Sequence, residues 1–312
     1  MLKDININEN VDGYYLLQRC EMKVTKNGSN YLDLNLGDRS EMISGKCWSV
    51  PDHVLANMDK LLDGSFVYVK GTIEEYNGNR QMRVAFIRPI SDSEKFNKRD
   101  LIPIVEENPV ELIKEIKDTI DSIIDEDIRK ICLTVLNENK KDIATAPAAQ
   151  SVHHSEIGGL ALHICEMLRV GKAIIGIFPH INRDYLLAGI FLHDIGKIRE
   201  MKRNNVGLVS DYTNEGKLLG HIVICVSYVD EIGKKLGISS EKYLPLEHMI
   251  LSHHDKPEYG SPKSPMFIEA EMLHYCDMIS SRANIFYHAT KDIESGTFGM
   301  KHFALGCQPY RI

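Results

Sequence analysis

At 312 residues the chain is long enough for two domains and for at least one sizeable core. Hydrophobic residues make up 43% and charged residues 26%, the balance of a soluble globular protein, and no apolar run approaches the roughly 18–20 residues needed to span a bilayer. The net charge of −7 argues against indiscriminate coating of nucleic acid but is compatible with a local basic groove.

The opening stretch MLKDININENVDGYY has neither the basic start nor the apolar run of a secretory signal, so a cytoplasmic protein is expected. The seven cysteines (Cys20, Cys47, Cys132, Cys165, Cys225, Cys276 and Cys307) form no C-x-x-C pair, which fits reduced thiols. Residues from about 12 to 90 are predicted as short strands: YYLLQRCEMKV, NYLDLNL, EMISGKCWSV, SFVYVKGTIEEY and RQMRVAFIRPI are β-branched or aromatic-rich and partly alternating. Gly28, Gly37 and Gly64 fall at turns, and Asn77-Gly78 between two alternating runs signals a hairpin. PDHVLANMDKLL, between the third and fourth strands, has helical spacing. Three strands, a short helix and two strands is the order of an OB-fold barrel, which predicts a nucleic-acid-binding domain over 1–90.

Polar and charged residues over 91–108 suit a linker, and 109–312 reads as helical. Asn108 caps the next helix, with Pro109 at its first position and Glu111 placed for a capping box. Apolar residues recur near every 3.6 positions through ELIKEIKDTIDSII and DIRKICLTVL. Further helices are predicted near 158–176, 183–195, 214–236, 242–253 and 265–288. The fold class is therefore multi-domain, an all-β barrel followed by an all-α domain.

Of the 13 histidines, all but His53 follow residue 150. His163 lies in the amphipathic GGLALHICEML. FLHDIGK sets His193 beside Asp194, with Gly196 placed to stop the helix. His221 follows in EGKLLGHIVI, His253 and His254 in ILSHHDKPEYG, and Asp277 in AEMLHYCDMIS. Neighbouring helical side chains diverge by about 100°, so His193 and Asp194 can serve one centre only near a helix end or where several helices meet. Mixed imidazole and carboxylate ligands suit manganese, iron, cobalt or zinc better than calcium. Any one of these histidines alone reads as a hydrogen-bonded core residue; the ordered set carries the inference. His248, His274, His288 and His302 fall outside the pattern and read as structural or surface residues, and Cys225 as a small core residue.

This order, H…HD…H…HH…D over roughly 150–285, resembles the HD-domain superfamily of metal-dependent phosphohydrolases. The resemblance implies a first metal site of His163, His193, Asp194 and Asp277, and a second of His221, His253 and His254 with Asp194 bridging. Both His253 and His254 are named because either could coordinate. Asp194 and Lys197 take the catalytic roles, the lysine facing the phosphate. Ser280 stands where HD proteins often carry a second aspartate three residues after Asp277, and Asp255 adds an acid beside the paired histidines.

OB barrels grip single strands by stacking bases on aromatics within a basic groove. Trp48, Phe66, Tyr68 and Tyr76, with Lys70, Arg80 and Arg83, are the candidates, although some of these aromatics must be packing residues. His153 and His154, just ahead of the His163 helix, are candidates for the substrate entry or for a capping or surface role. An OB barrel followed by this kind of HD domain is similar to the YhaM family of bacterial 3′–5′ exoribonucleases, through APAAQSVHHSEIGGLALH, YTNEGKLLGHI and SHHDKPEYGSP. The similarity implies removal of nucleotides from 3′ ends of single-stranded RNA, with single-stranded DNA as a further substrate and two Mn²⁺ ions as cofactors (Fe, Co and Zn remaining open). It implies no membrane partner and leaves homo-oligomerisation open. Two other readings compete. One is an HD-type nucleotide or cyclic-dinucleotide phosphohydrolase, although DKPEYGSP lacks the G-Y-P pattern of the latter subgroup. The other is a single-strand-binding regulator with a structural helical half.

Overall fold

Alternating burial along the early strands places Val11, Leu34, Val67, Val69, Ile73, Met82 and Ile87 inside and their neighbours outside, the period-2 signature of a sheet with one covered face. The strands are β1 (Asn10–Val24), β2 (Asn30–Asp38), β3 (Glu41–Cys47), β4 (Ser65–Tyr76) and β5 (Asn79–Pro89), with α1 (Asp52–Leu55) between the third and fourth. The computed structural model describes residues 1–312 except 26, 49, 51, 56, 57, 77, 92 and 151–153, so Asn77 and His153 lie outside the described residues. The strands close into a barrel in the order β1-β2-β3-β5-β4. All pairings are antiparallel except β3 with β5. This is an OB-fold. β1 pairs with both β2 and β4, and a register shift between Leu17 and Arg19 lets one long strand bend from one partner to the other. The helical spacing over 51–62 resolves into α1 and a 3₁₀ turn at Met58–Lys60.

Two compact units emerge: residues 1–104 with 203–210, and residues 105–202 with 211–312. Their boundary falls inside the stretch that reads as a linker from composition. The physical reason is an aromatic and an acid embedded in that polar run. Phe96 packs on Tyr14 and Phe66 with ring centroids 5.3 and 5.2 Å apart. Glu94 takes a bond from Arg88 at 2.7 Å and from the Tyr14 hydroxyl at 3.2 Å. Residues 91–104 thereby belong to the barrel unit.

The second unit contains α2 (Pro109–Asp121), α3 (Glu126–Thr145), α4 (Gly159–Ile177), α5 (Arg183–Leu192), α6 (Lys197–Glu200), α7 (Asn214–Lys235), α8 (Ser240–Ser252) and α9 (Ile268–Thr290). A short ribbon of β6 (Met201–Arg203) and β7 (Val209–Tyr212) follows α6, an interruption that the helical reading of this half missed. Asn108 caps α2 by accepting from the Val110 amide, the second helical position and not the third that a capping box with Glu111 requires. α5 is buried on every side from Leu186 to Leu192, as befits a central helix, and packs against α3, α4, α8 and α9. Among the described residues no helix is long and apolar enough to cross a membrane.

Candidate metal centre

Helix ends bring the histidines together. The α5 helix stops at Leu192, short of the predicted end at Gly196, so His193 closes the helix and Asp194 lies in the following turn. That early stop frees two adjacent side chains to aim at one centre. His253 closes α8 in the same way. His163 sits within α4 and Asp277 within α9. His221 follows a break inside α7, where Gly220 adopts φ 72° and ψ 158°, a conformation open to glycine and costly for other residues. Gly196 is needed for a second reason: a Cβ there would lie 2.1 Å from the His221 carbonyl oxygen. The His193–Asp194 turn can approach α7 only because that side chain is missing.

Asp194 occupies the middle. Its Oδ2 lies 3.3 Å from His193 Nε2, 3.8 Å from His163 Nε2 and 2.7 Å from Lys197 Nζ. Its Oδ1 faces His221 Nε2 at 3.6 Å and His253 Nε2 at 3.9 Å. Asp277 Oδ1 lies 3.4 Å from His163 Nε2. Two groups of potential ligands result, His163 with His193 and Asp277, and His221 with His253 and His254, the donor atoms in each within 4.8 Å of one another.

Each of the five imidazoles uses Nδ1 on a partner outside the centre. His163 Nδ1 meets Ser280 Oγ at 2.9 Å, His193 Nδ1 the Ile190 carbonyl at 2.8 Å, and His253 Nδ1 the Ile250 carbonyl at 2.7 Å. His221 Nδ1 lies 3.3 Å from Glu200 Oε1, which also accepts the His221 amide at 3.0 Å, and His254 Nδ1 lies 2.8 Å from the Tyr259 carbonyl. A carbonyl or carboxylate can only accept, so His193, His221, His253 and His254 donate Nδ1–H and turn the Nε2 lone pair inward. The inward atoms Nε2 of His193, His221 and His253, with Asp194 Oδ1, are buried and have no hydrogen-bond partner among the described residues. Buried acceptors facing one another are costly unless a cation fills the space between them. The residues present therefore fit divalent ions, by donor type as well as by orientation.

The electrostatics agree except at His193, where burial lowers the ring but the Asp194 carboxylate outweighs it and raises it. Burial pushes the Asp194 carboxyl up, but Lys197 and the surrounding histidines outweigh it and hold it well below the usual carboxylate range. Burial likewise opposes the charge on Asp277, and His163 overrides it, so this group too stays ionised. Burial lowers His163, His253 and His254, keeping their rings neutral, as a ligand must be. Lys197 would be lowered by burial; the neighbouring Asp194 raises it instead.

Glu200 and Glu166 escaped the sequence reading, as did the contact that Ser280 makes. Glu200 orients His221. Ser280, noted only for its position in the pattern, contacts His163. Glu166 Oε2 accepts from Ser280 Oγ at 2.6 Å and lies 3.1 Å from His154 Nε2. Glu166 lies three residues after His163, one turn along the same face of α4, a spacing that could have drawn attention to it. His154 is buried, with its ring centroid 5.2 Å from that of His163. His274 donates Nδ1–H to the His253 carbonyl at 2.8 Å, and His248 Nε2 accepts the Met266 amide at 3.1 Å.

On the barrel unit the candidates separate by their neighbours. Trp48 is 50% exposed and stacks on Tyr31, with centroids 4.9 Å apart, while the Lys46 ammonium lies 5.8 Å from the Tyr31 ring. Tyr31 and Lys46 were not among the predicted contacts. Tyr68 donates its hydroxyl to Asp12, which also pairs with Lys70 at 3.1 Å, and Arg88 lies over the Tyr68 ring at 4.8 Å. Arg80 is committed to Glu41 at 2.6 Å and to the Leu2 and Ile5 carbonyls at 2.9 and 2.7 Å. Arg83 is more exposed and reaches Glu74 at 3.4 Å. Phe66 packs on Phe96, and Tyr76 is exposed.

A five-stranded OB barrel joined to a helical unit with this histidine and aspartate centre defines an HD-domain phosphohydrolase carrying a nucleic-acid-binding module. Residues 152–289 match the HD domain family, and residues 18–90 match a family described as an OB-fold nucleic acid binding domain. Proteins named 3′-5′ exoribonuclease YhaM are similar over nearly their whole length. The one from Bacillus subtilis is 36% identical over 96% of this chain and 93% of its own, and the one from Shouchella clausii is 35% identical over 96% and 92%. A Geobacillus relative of the same name is 35% identical over 96% of this chain and 90% of its own. The chain belongs to the YhaM family.

Proposed function

We propose that the chain is a metal-dependent 3′–5′ exoribonuclease that removes nucleotides singly from single-stranded RNA and releases nucleoside 5′-monophosphates. The observation that carries this reading is the buried set of inward-facing donor atoms, divided into two groups on either side of the Asp194 carboxylate. In this reading His163, His193, Asp194 and Asp277 would hold one divalent ion and His221, His253 and His254 a second, with Asp194 placed to reach both. Mn²⁺ is the proposed ion, because mixed imidazole and carboxylate ligands suit it, as they also suit iron, cobalt and zinc. Ions held there would lower the pKa of water toward neutrality and offset the charge on a phosphoryl group.

The chain's own side chains do the rest. Lys197, kept charged by Asp194, offers positive charge to the phosphoryl oxygens as the bond to the 3′ oxygen of the preceding nucleotide breaks. Glu200 and Ser280 hold the His221 and His163 rings in place. His154, buried beside the His163 ring, borders the path of the 3′ end. On the barrel, Trp48 with Tyr31 offers a stacking surface beside Lys46, and Tyr68, Lys70 and Arg83 supply a second set of contacts. Stacking tolerates any base, so single-stranded DNA should also bind. A strand held on the barrel raises the effective concentration of its 3′ end at the centre. The enzyme acts in the cytosol.

The test is incubation with RNA labelled at its 5′ or 3′ end, in Mn²⁺ or in chelator. A ladder from the 5′ label and labelled mononucleotide from the 3′ label, both abolished by chelator, are expected. Internal fragments, or turnover that survives chelation, would overturn the reading.

A further inference from the structure

The Nδ1 partners of the five imidazoles are not chemically alike. Carbonyls receive His193, His253 and His254, and a carboxylate receives His221; all are acceptors only. His163 instead meets the Ser280 hydroxyl, which can donate or accept. Left to itself, Ser280 could give its proton to Nδ1, leaving the His163 proton on Nε2 and a donor where the centre needs a lone pair. The hydroxyl has one proton, however, and Ser280 Oγ lies 2.6 Å from Glu166 Oε2. A carboxylate cannot donate, so that proton goes to Glu166, and Ser280 must accept from His163 Nδ1–H.

We infer that Glu166 is a positioning residue, which through Ser280 fixes His163 in the tautomer whose Nε2 can bind a metal ion. The inference rests on the reading of this centre as a metal site, and it adds a residue that touches neither ion nor substrate. His154 completes the arrangement. Its Nε2 lies 3.1 Å from the same Oε2 and can only donate to it, so one oxygen collects both protons. Glu166 has access to solvent, lining with Ser280, Asn284 and Tyr287 a cavity of about 410 Å³ between α4 and α9. A change at Glu166 therefore need not disturb the core.

What the relay requires is an acceptor, not a charge. Glu166→Gln keeps a carbonyl oxygen with two lone pairs and is expected to behave as the parent; Glu166→Ala removes the acceptor. In ion-free protein at pH 8, the ¹⁵N shifts of the His163 ring report its tautomer directly. The parent and Glu166→Ala/Gln pair should divide, with Nδ1–H in the parent and in Glu166→Gln, and a substantial Nε2–H fraction in Glu166→Ala. Mn²⁺ affinity measured calorimetrically on the full chain should fall by roughly 10–100-fold in Glu166→Ala, and little in Glu166→Gln. Ser280→Ala should weaken Mn²⁺ binding similarly, and adding Glu166→Ala to it should change nothing further, because the chain is already broken. An unchanged tautomer in Glu166→Ala would overturn the inference, as would equal losses in Glu166→Gln and Glu166→Ala. A parent protein that binds no Mn²⁺ would instead sink the metal reading, while the ring spectra still decide whether Glu166 sets the tautomer.

Discussion

The centre on the helical unit and the outer face of the barrel use polar side chains in opposite ways. Around Asp194 the rings of His193, His221 and His253 are anchored outward through Nδ1 and leave buried Nε2 atoms facing one another with no hydrogen-bond partner among the described residues. On the barrel the aromatic and basic groups are partly exposed, and most satisfy each other: Tyr68 and Lys70 share Asp12, Arg80 serves Glu41 and two carbonyls, and Arg88 serves Glu94. An arrangement with unmet buried acceptors needs a cation to complete it. A surface whose groups already pair with one another binds by rearrangement and stacking, at lower cost and with less demand for a single geometry.

The sharpest way to break this contrast is Asp194→Ala. Losing the carboxylate between the two donor groups should lower turnover by at least about a thousandfold, on the order of 4 kcal/mol in the barrier, as read by release of labelled mononucleotide. Single-strand binding, followed by fluorescence anisotropy, should change little. Next in size, Glu200→Ala removes the outward anchor of His221 and should cost roughly 10–100-fold in activity, partly restored by Glu200→Gln, which keeps an acceptor. On the barrel, Trp48→Ala should weaken strand binding by about 1–3 kcal/mol with hydrolysis of a small diester unaffected. The smallest effect sharpens the contrast within the barrel. Phe96→Ala should lower barrel stability by about 1–2 kcal/mol, less than the ~3–5 kcal/mol of a fully buried ring, and leave strand affinity alone. The chain's single tryptophan, Trp48, reports that unfolding through its fluorescence.

How much of this was legible differs between the two regions for a physical reason. The OB strand order followed from alternation and turn residues, and each strand lies where its pattern put it. The segment from 91 to 104 did not, because Phe96 and Glu94 are two residues in a polar run whose partners, Tyr14, Phe66 and Arg88, are distant in sequence. The β6–β7 ribbon is three and four residues long, too short for a periodicity to register. At the centre, histidine and aspartate are costly to bury without purpose, so their order in the sequence was informative before any fold was known. The residues behind them were not. Glu166 and Glu200 look like ordinary surface polar residues in sequence, Ser280 was marked only by its place in the pattern, and the positions of α4, α6 and α9 reveal what all three hold. The barrel candidates were the hardest, because Tyr68 and the unpredicted Tyr31, like Arg80 and Arg83, differ in neighbours and not in type.

The central claim is that Asp194 stands between two ion sites. Anomalous scattering from crystals soaked in Mn²⁺ tests it most directly. Two peaks are expected, one among His163, His193 and Asp277 and one among His221, His253 and His254, with the Asp194 carboxylate in contact with both. Peaks elsewhere, or none within reach of Asp194, would contradict the account.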